Sequence, residues 1–159
     1  MVSLIFLSAC SSPFSLGGLK GSGNVITKDV DVSGFEKISL SGKGNLIIEQ
    51  GNSERLRIEA EDNIMEIIET EVRGNTLYIS YKKTSWFASI FRPTKDINFN
   101  IKLKDLISLK ISGSGTAKME YLETEDMNIN VSGSGKIDMN IEADNLKSKI
   151  SGSGTFNLS

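Results

Sequence analysis

The side chains that most often perform chemistry are scarce in this sequence. Histidine is absent, and Cys10 is the one cysteine among 159 residues. That excludes His-based catalytic triads, His-ligated metals and a histidine pH switch. It also excludes an internal disulfide and any Cys-cluster metal site. Carboxylates remain, in one group at Glu59, Glu61, Asp62, Glu66, Glu69 and Glu71 and a second at Glu120, Glu123, Glu125 and Asp126. Glycoside cleavage needs two carboxyls held about 5–10 Å apart across a cleft. Here the acids are interspersed along stretches that read as strand edges and turns rather than converging, which is the pattern of a solvated face. The Gly-Gly-x-Gly-x-Asp nonapeptide of calcium-binding β-rolls is missing. No cofactor, metal or catalytic residue is assigned.

Gly-Ser-Gly is the other motif with chemical meaning. It occurs in Ile111-Ser112-Gly113-Ser114-Gly115, in Val131-Ser132-Gly133-Ser134-Gly135 and in Ile150-Ser151-Gly152-Ser153-Gly154. Phosphate-binding loops use glycines this way, but they need a helix N-terminus behind them, and a Walker loop ends in Gly-Lys-Ser/Thr. No helical pattern follows any copy. The copies instead recur at spacings of 20 and 19 residues. A diverged copy is Leu40-Ser41-Gly42-Lys43-Gly44, and Gly21-Ser22-Gly23-Asn24 resembles a first one. The glycines therefore read as tight turns, and Ser114, Ser134 and Ser153 as a ladder of hydroxyls at stacked corners.

The segments between the turns must position these corners, and they read as strands. Met127-Asn128-Ile129-Asn130-Val131 and Ile137-Asp138-Met139-Asn140-Ile141 alternate apolar and polar residues. Such alternation marks half-buried strands. It recurs at Ile38–Leu40, Leu56–Ile58, Leu77–Ile79 and Ile97–Leu103. Asn63–Glu69 fits a short helix or the start of a strand. A unit of about 20 residues cannot bury its own apolar face, and stacking such units would bury a continuous column. The expected architecture is all-β, a β-solenoid with rungs of about 20 residues. A leucine-rich repeat lacks its fixed Leu offsets here, and a β-sandwich would not repeat one turn motif in register.

The order of these motifs resembles one family. The Ser-Gly-Ser-Gly copies, Gly21-Ser22-Gly23-Asn24-Val25-Ile26-Thr27, Val32-Ser33-Gly34-Phe35, Glu59-Ala60-Glu61-Asp62-Asn63 and Leu77-Tyr78-Ile79-Ser80-Tyr81-Lys82-Lys83 together resemble the bacterial family called putative auto-transporter adhesin, head GIN domain. The resemblance covers residues 21–159. It implies a right-handed parallel β-helix in an exported, often lipid-anchored protein, and it brings no catalytic residues. It also implies further coils beyond Ser159, so the domain reads as C-terminally incomplete, with an open end able to self-associate.

The N-terminus reads as an address. Val2–Leu7 is a short apolar run, and Leu7-Ser8-Ala9-Cys10 resembles a bacterial lipobox whose cysteine is lipidated. No Lys or Arg precedes the run. Residues 1–9 are read as a lipoprotein signal peptide, 10–20 as a flexible tether and 21–159 as the β-helix domain. No run of about 18 apolar residues could cross a membrane as a helix. Ser11 stands after the cysteine where an acidic inner-membrane retention residue could stand, which favours the outer membrane.

Between the strands lies Ser85–Pro93, a segment with no clean period that holds Trp86, Phe87 and Phe91. An apolar loop either caps a core or offers a contact patch. A net charge of −2 argues against a nucleic-acid binder. The expected protein is a non-enzymatic, lipid-anchored envelope module for binding, adhesion or scaffolding. Its partners are the membrane, through Cys10, and a glycan or protein at the cell surface. The alternatives are a polysaccharide-active β-helix enzyme and an inert spacer.

Overall fold

The computed structural model describes residues 18–82 and 91–159. Cys10, Trp86 and Phe87 lie outside the described residues. In chain order the strands are β1 (Leu19–Lys20), β2 (Val25–Val30), β3 (Lys37–Gly42), β4 (Asn45–Gln50), β5 (Arg55–Glu61), β6 (Ile68–Arg73) and β7 (Thr76–Tyr81). They continue as β8 (Phe91–Arg92), β9 (Asn98–Leu103), β10 (Ser108–Gly113), β11 (Thr116–Gly133), β12 (Lys136–Gly152) and β13 (Thr155–Leu158). One short helix, α1 (Asp62–Met65), precedes β6. The Asn63–Glu69 stretch therefore holds both a helical turn and the start of a strand.

The sheet has two layers joined through β11, because the N-terminal and C-terminal halves of this long strand face different neighbours. In one layer, the C-terminal halves of β12 and β11 are followed by β10, β3, β7 and β6. In the other, β13 is followed by the N-terminal halves of β12 and β11, then β4, β9, β5 and β2. Inward side chains form rows across the strands. One row runs Ile79, Leu40, Ile111, Val131 in register, and all four are buried. Another runs Phe99, Leu46, Ala117, Ile137, also buried. Burying each Leu, Ile or Val contributes about 1.5–3 kcal/mol, so these rows hold the two layers together.

The expected right-handed parallel β-helix is not what the chain builds. The molecule is a curled half-barrel in which parallel and antiparallel strands are mixed. β2 with β5, β5 with β9, and β6 with β7 are all antiparallel pairs. Neighbours also depart from chain order: β3 lies between β7 and β10, and β4 lies between β9 and β11. The register period of about 20 governs only residues 108–158. Turn direction supplies one reason. The two-residue Ser134-Gly135 corner passes the chain from one layer to the other and leaves β11 and β12 parallel, whereas a two-residue turn that reverses the chain within one layer closes an antiparallel hairpin. Gly74-Asn75, with Gly74 at φ +60°, is such a turn between β6 and β7.

A buried carboxylate clips the N-terminal segment onto the sheet. Glu61 is 1% exposed, and its oxygens accept hydrogen bonds from the Gly23 amide (2.7 Å), the Thr94 amide (2.8 Å) and the Thr94 hydroxyl. Burial pushes its pKa up. The hydrogen bonds from Thr94, Gly23 and Lys95 outweigh that and hold the carboxyl below its ordinary value. Asp62 is likewise held low, by Ser22 and Asn24. The linkage sign follows. A depressed carboxyl pKa stabilises the fold above the ordinary carboxyl value, and that stability is lost as pH falls through the folded-state pKa. Melting temperature should therefore fall with acidification below about pH 4.5. Glu61→Gln should melt lower at neutral pH and show a shallower acid slope. Parallel melting-versus-pH curves for the two proteins would count against this role of Glu61.

Candidate functional site

The Gly-Ser-Gly corners stack directly. Gly42, Gly113, Gly133 and Gly152 are register partners in adjacent strands. The amides following them point back at the preceding corner: Ser114 to the Gly42 carbonyl (3.1 Å), Ser134 to Gly113 (2.9 Å), Ser153 to Gly133 (2.9 Å). Thr116, Lys136 and Thr155 donate in the same way to Gly44, Gly115 and Gly135. These donors are already used, so they cannot cradle a phosphate. Gly115, Gly135 and Gly154 sit where a side chain would strike the core, for example Leu40 at 2.5 Å from a Cβ on Gly115. Ser114, Ser134 and Ser153 are exposed at the stacked corners.

Of the aromatic segment, Phe91 is described, and it is 8% exposed. Its ring packs on Tyr81 at 4.4 Å between centroids, and the Lys43 ammonium lies 5.6 Å from its centre. The Tyr81 hydroxyl donates to the Lys43 carbonyl, and burial pushes its phenol pKa up. Phe91 thus belongs to the packing around the Gly42 corner and offers no exposed face to a partner.

A groove forms where β4, β11, β12 and the 104–107 connection meet, with a volume of about 1730 Å³. Outward residues of the second layer make its floor, with Ile47, Lys118 and Asp138 in one row. Beside that row runs a hydrogen-bonded ladder. The Thr116 hydroxyl donates to Asn45 Oδ1 (2.7 Å), and Asn45 Nδ2 donates to Asn98 Oδ1 (3.0 Å). Gln50 closes one side: its Nε2 donates to the carbonyls of Lys104 (3.1 Å) and Glu123 (2.8 Å), and its Oε1 accepts from the Glu123 amide (2.9 Å). The pairing of β11 with β12 shifts register between Met119 and Leu122, and within that bulge Tyr121 stands 47% exposed. Its hydroxyl donates to Glu142 Oε2 at 2.7 Å, and this bond, more than burial, raises the phenol pKa.

Charge dominates this groove. Its lining holds nine carboxylates (Glu49, Asp105, Glu120, Glu123, Glu125, Asp126, Asp138, Glu142 and Asp144) against Lys104 and Lys118. The second acidic group of the sequence, Glu120 to Asp126, thus lies together here. The first does not join it: Glu61 and Asp62 are tied to the N-terminal segment, and Glu66, Glu69 and Glu71 are exposed elsewhere. Among the described residues no group of three or more acids is arranged to hold a metal. The sequence reading missed Gln50 and Tyr121. The step from Met119 to Leu122, three residues where alternation wants two, was the available signal for Tyr121. The burial of Glu61 had no local signal, because strand parity turns it outward and it is the Gly21–Gly23 segment and Thr94 that cover it.

Fold and groove together define an all-β domain with an open, acid-lined lateral groove. The chain belongs to the family described as putative auto-transporter adhesin, head GIN domain, whose model matches residues 34–159. Among solved structures it is similar to a "putative lipid binding protein" from Parabacteroides distasonis, at 26% identity and TM-score 0.77, covering 89% of this chain and 62% of that one. The chain therefore spans less than two thirds of that protein. It shares its fold with a "putative adhesin" from Bacteroides fragilis at 19% identity and TM-score 0.64, covering 89% of this chain and all of that one. A "putative adhesin" from Parabacteroides merdae aligns at 22% identity and TM-score 0.65, over 89% of this chain and 67% of that one. No curated protein matches the sequence.

Proposed function

We propose that this chain is a non-catalytic adhesion module of the bacterial cell envelope, lipidated at Cys10, that grips a basic protein surface in its acid-lined groove. The observation that carries this reading is the charge and shape of the groove, with nine carboxylates, two lysines and an exposed Tyr121. A cleft lined by one sign of charge attracts partners of the other sign and repels its own. Anionic headgroups are disfavoured there. The inward rows are filled by side chains, which leaves the outer groove as the larger binding space. Family membership and the adhesins of shared fold support a surface role. The buried carboxylate Glu61 is committed to structural donors, which supports the non-catalytic reading.

Binding to immobilised poly-lysine, to dextran and to phosphatidylglycerol vesicles tests the groove. The full chain should bind poly-lysine, and Glu120→Lys with Asp138→Lys should weaken that binding at least about tenfold. Asp31→Lys with Glu69→Lys, outside the groove, should leave binding near wild type. Equal losses from both double variants would reduce the effect to net charge and sink the groove assignment. Stronger binding to the vesicles would favour a lipid ligand instead. For the anchor, Cys10→Ser should lose incorporation of a palmitate analogue in a bacterial host, and retained label would refute the lipobox.

A further inference from the structure

The outer face of the first layer has a chemistry unlike that of the acid-lined groove. Four adjacent strands make it: β7, β3, β10 and the C-terminal half of β11. Their inward residues, such as Leu77, Ile38, Leu109 and Ile129, are buried, so alternation turns the residues between them outward. Of the twelve outward positions, nine carry Ser, Thr or Asn, two carry Lys and one carries Tyr. No acid and no aliphatic side chain is among these twelve.

A compact cluster stands at its centre. Tyr78, Ser39, Lys110 and Asn130 lie in one row across the four strands. Lys37 stands beside that row, two residues before Ser39 on β3. Adjacent strands are about 4.8 Å apart and residues i and i+2 about 6.6 Å apart, so both lysine Cα atoms lie within about 10 Å of that of Tyr78. Tyr78 is 37% exposed, with the Arg73 guanidinium 4.8 Å from its ring centre. Glu71 pairs with Arg73 at 3.1 Å, whereas Lys37 and Lys110 form no ion pair among the described residues. The polar groups are uncommitted too. On the second layer Thr116, Asn45 and Asn98 bond to one another. On the first, none of the nine hydroxyl and amide side chains bonds to another group among the described residues.

Each class of partner wants a different surface. Protein interfaces centre on apolar and aromatic residues. Anionic membranes and nucleic acids select larger clusters of basic residues. This face offers one aromatic ring, two unpaired cations and many hydrogen-bonding groups. A polymer of sugars fits it, with hydroxyls for Ser and Asn, a ring for the apolar body of Tyr78 and carboxylates for the two lysines. We propose that the outer face of the first layer binds an acidic polysaccharide, a sugar chain bearing uronate carboxylates, anchored by Tyr78, Lys37 and Lys110. This surface is separate from the groove, and the assignment does not rest on it.

Binding to immobilised polygalacturonate tests this, beside dextran, poly-glutamate and phosphatidylglycerol vesicles, with Cys10→Ser present throughout so that no lipid contributes. The full chain should bind polygalacturonate at least about tenfold more tightly than dextran or poly-glutamate. Lys37→Gln with Lys110→Gln should remove that advantage at an unchanged melting temperature, and Lys37→Arg with Lys110→Arg should keep it. Tyr78→Ala should weaken binding about threefold or more. Lys118→Gln with Lys136→Gln, the same charge change on the other layer, should bind like wild type, and so should Glu120→Lys with Asp138→Lys. Equal losses from the two glutamine pairs would reduce the effect to net charge and overturn the proposal. So would absence of binding to polygalacturonate. Equal binding to poly-glutamate would assign the face to acidic peptides, and stronger binding to the vesicles would assign it to lipid; either overturns the glycan reading.

Discussion

Gly133→Val is expected to lower stability by about 2–6 kcal/mol, a large part of the 5–15 kcal/mol that folded domains typically hold. Two costs combine. Gly133 has φ +115°, a conformation glycine adopts freely and a β-branched residue strongly resists, at about 1–3 kcal/mol. A Cβ there would also lie 2.6 Å from the Gly113 carbonyl oxygen. That oxygen is backbone and accepts the Ser134 amide, so it cannot swing aside. Forcing the strands apart adds about 1–3 kcal/mol of overpacking. The damage should spread, because Gly133 stacks on Gly113 below and carries Gly152 above. Lys136→Gln, an exposed change three residues past Gly133, should melt like wild type. Thermal unfolding of both variants checks this, and equal melting temperatures would deny the corner its special geometry.

Phe99→Ala should cost about 3–5 kcal/mol and lower the melting temperature by roughly 6–20 °C. Phe99 is fully buried and sits on β9, where the sheet changes character. On one side it is the antiparallel partner of Ile58 in β5, and on the other the parallel partner of Leu46 in β4. Its ring also fills the space above Gly44, where a Cβ would meet it at 2.5 Å. Truncation leaves a cavity that neither neighbour can fill without giving up its own register. Phe99→Leu should recover much of the loss by keeping volume and apolar character. Denaturant unfolding of the three proteins separates the outcomes. An alanine variant within 1 kcal/mol of wild type would mean that the two halves of the sheet are not coupled through this ring.

Face and corner were legible in the sequence. Ile129 and Val131, or Ile137 and Met139, point inward because successive strand residues alternate between faces, and all four are buried. The absence of histidine and the single cysteine removed most catalytic chemistries outright. Which strand lies beside which, and in what direction, was decided by the tertiary structure. Half-buried parallel and antiparallel strands alternate identically, so Arg55–Glu61 reads the same whether it runs with β9 or against it. The repeat between 111 and 154 matches the stacked corners of its own stretch and was extended too far back, into strands that pair antiparallel. The acid-lined groove had to wait for the fold for the same reason. Glu49 and Glu142 lie 93 positions apart in the chain, and local pattern carries no information about contacts at that separation. Only closure of the curled sheet brings them to one wall.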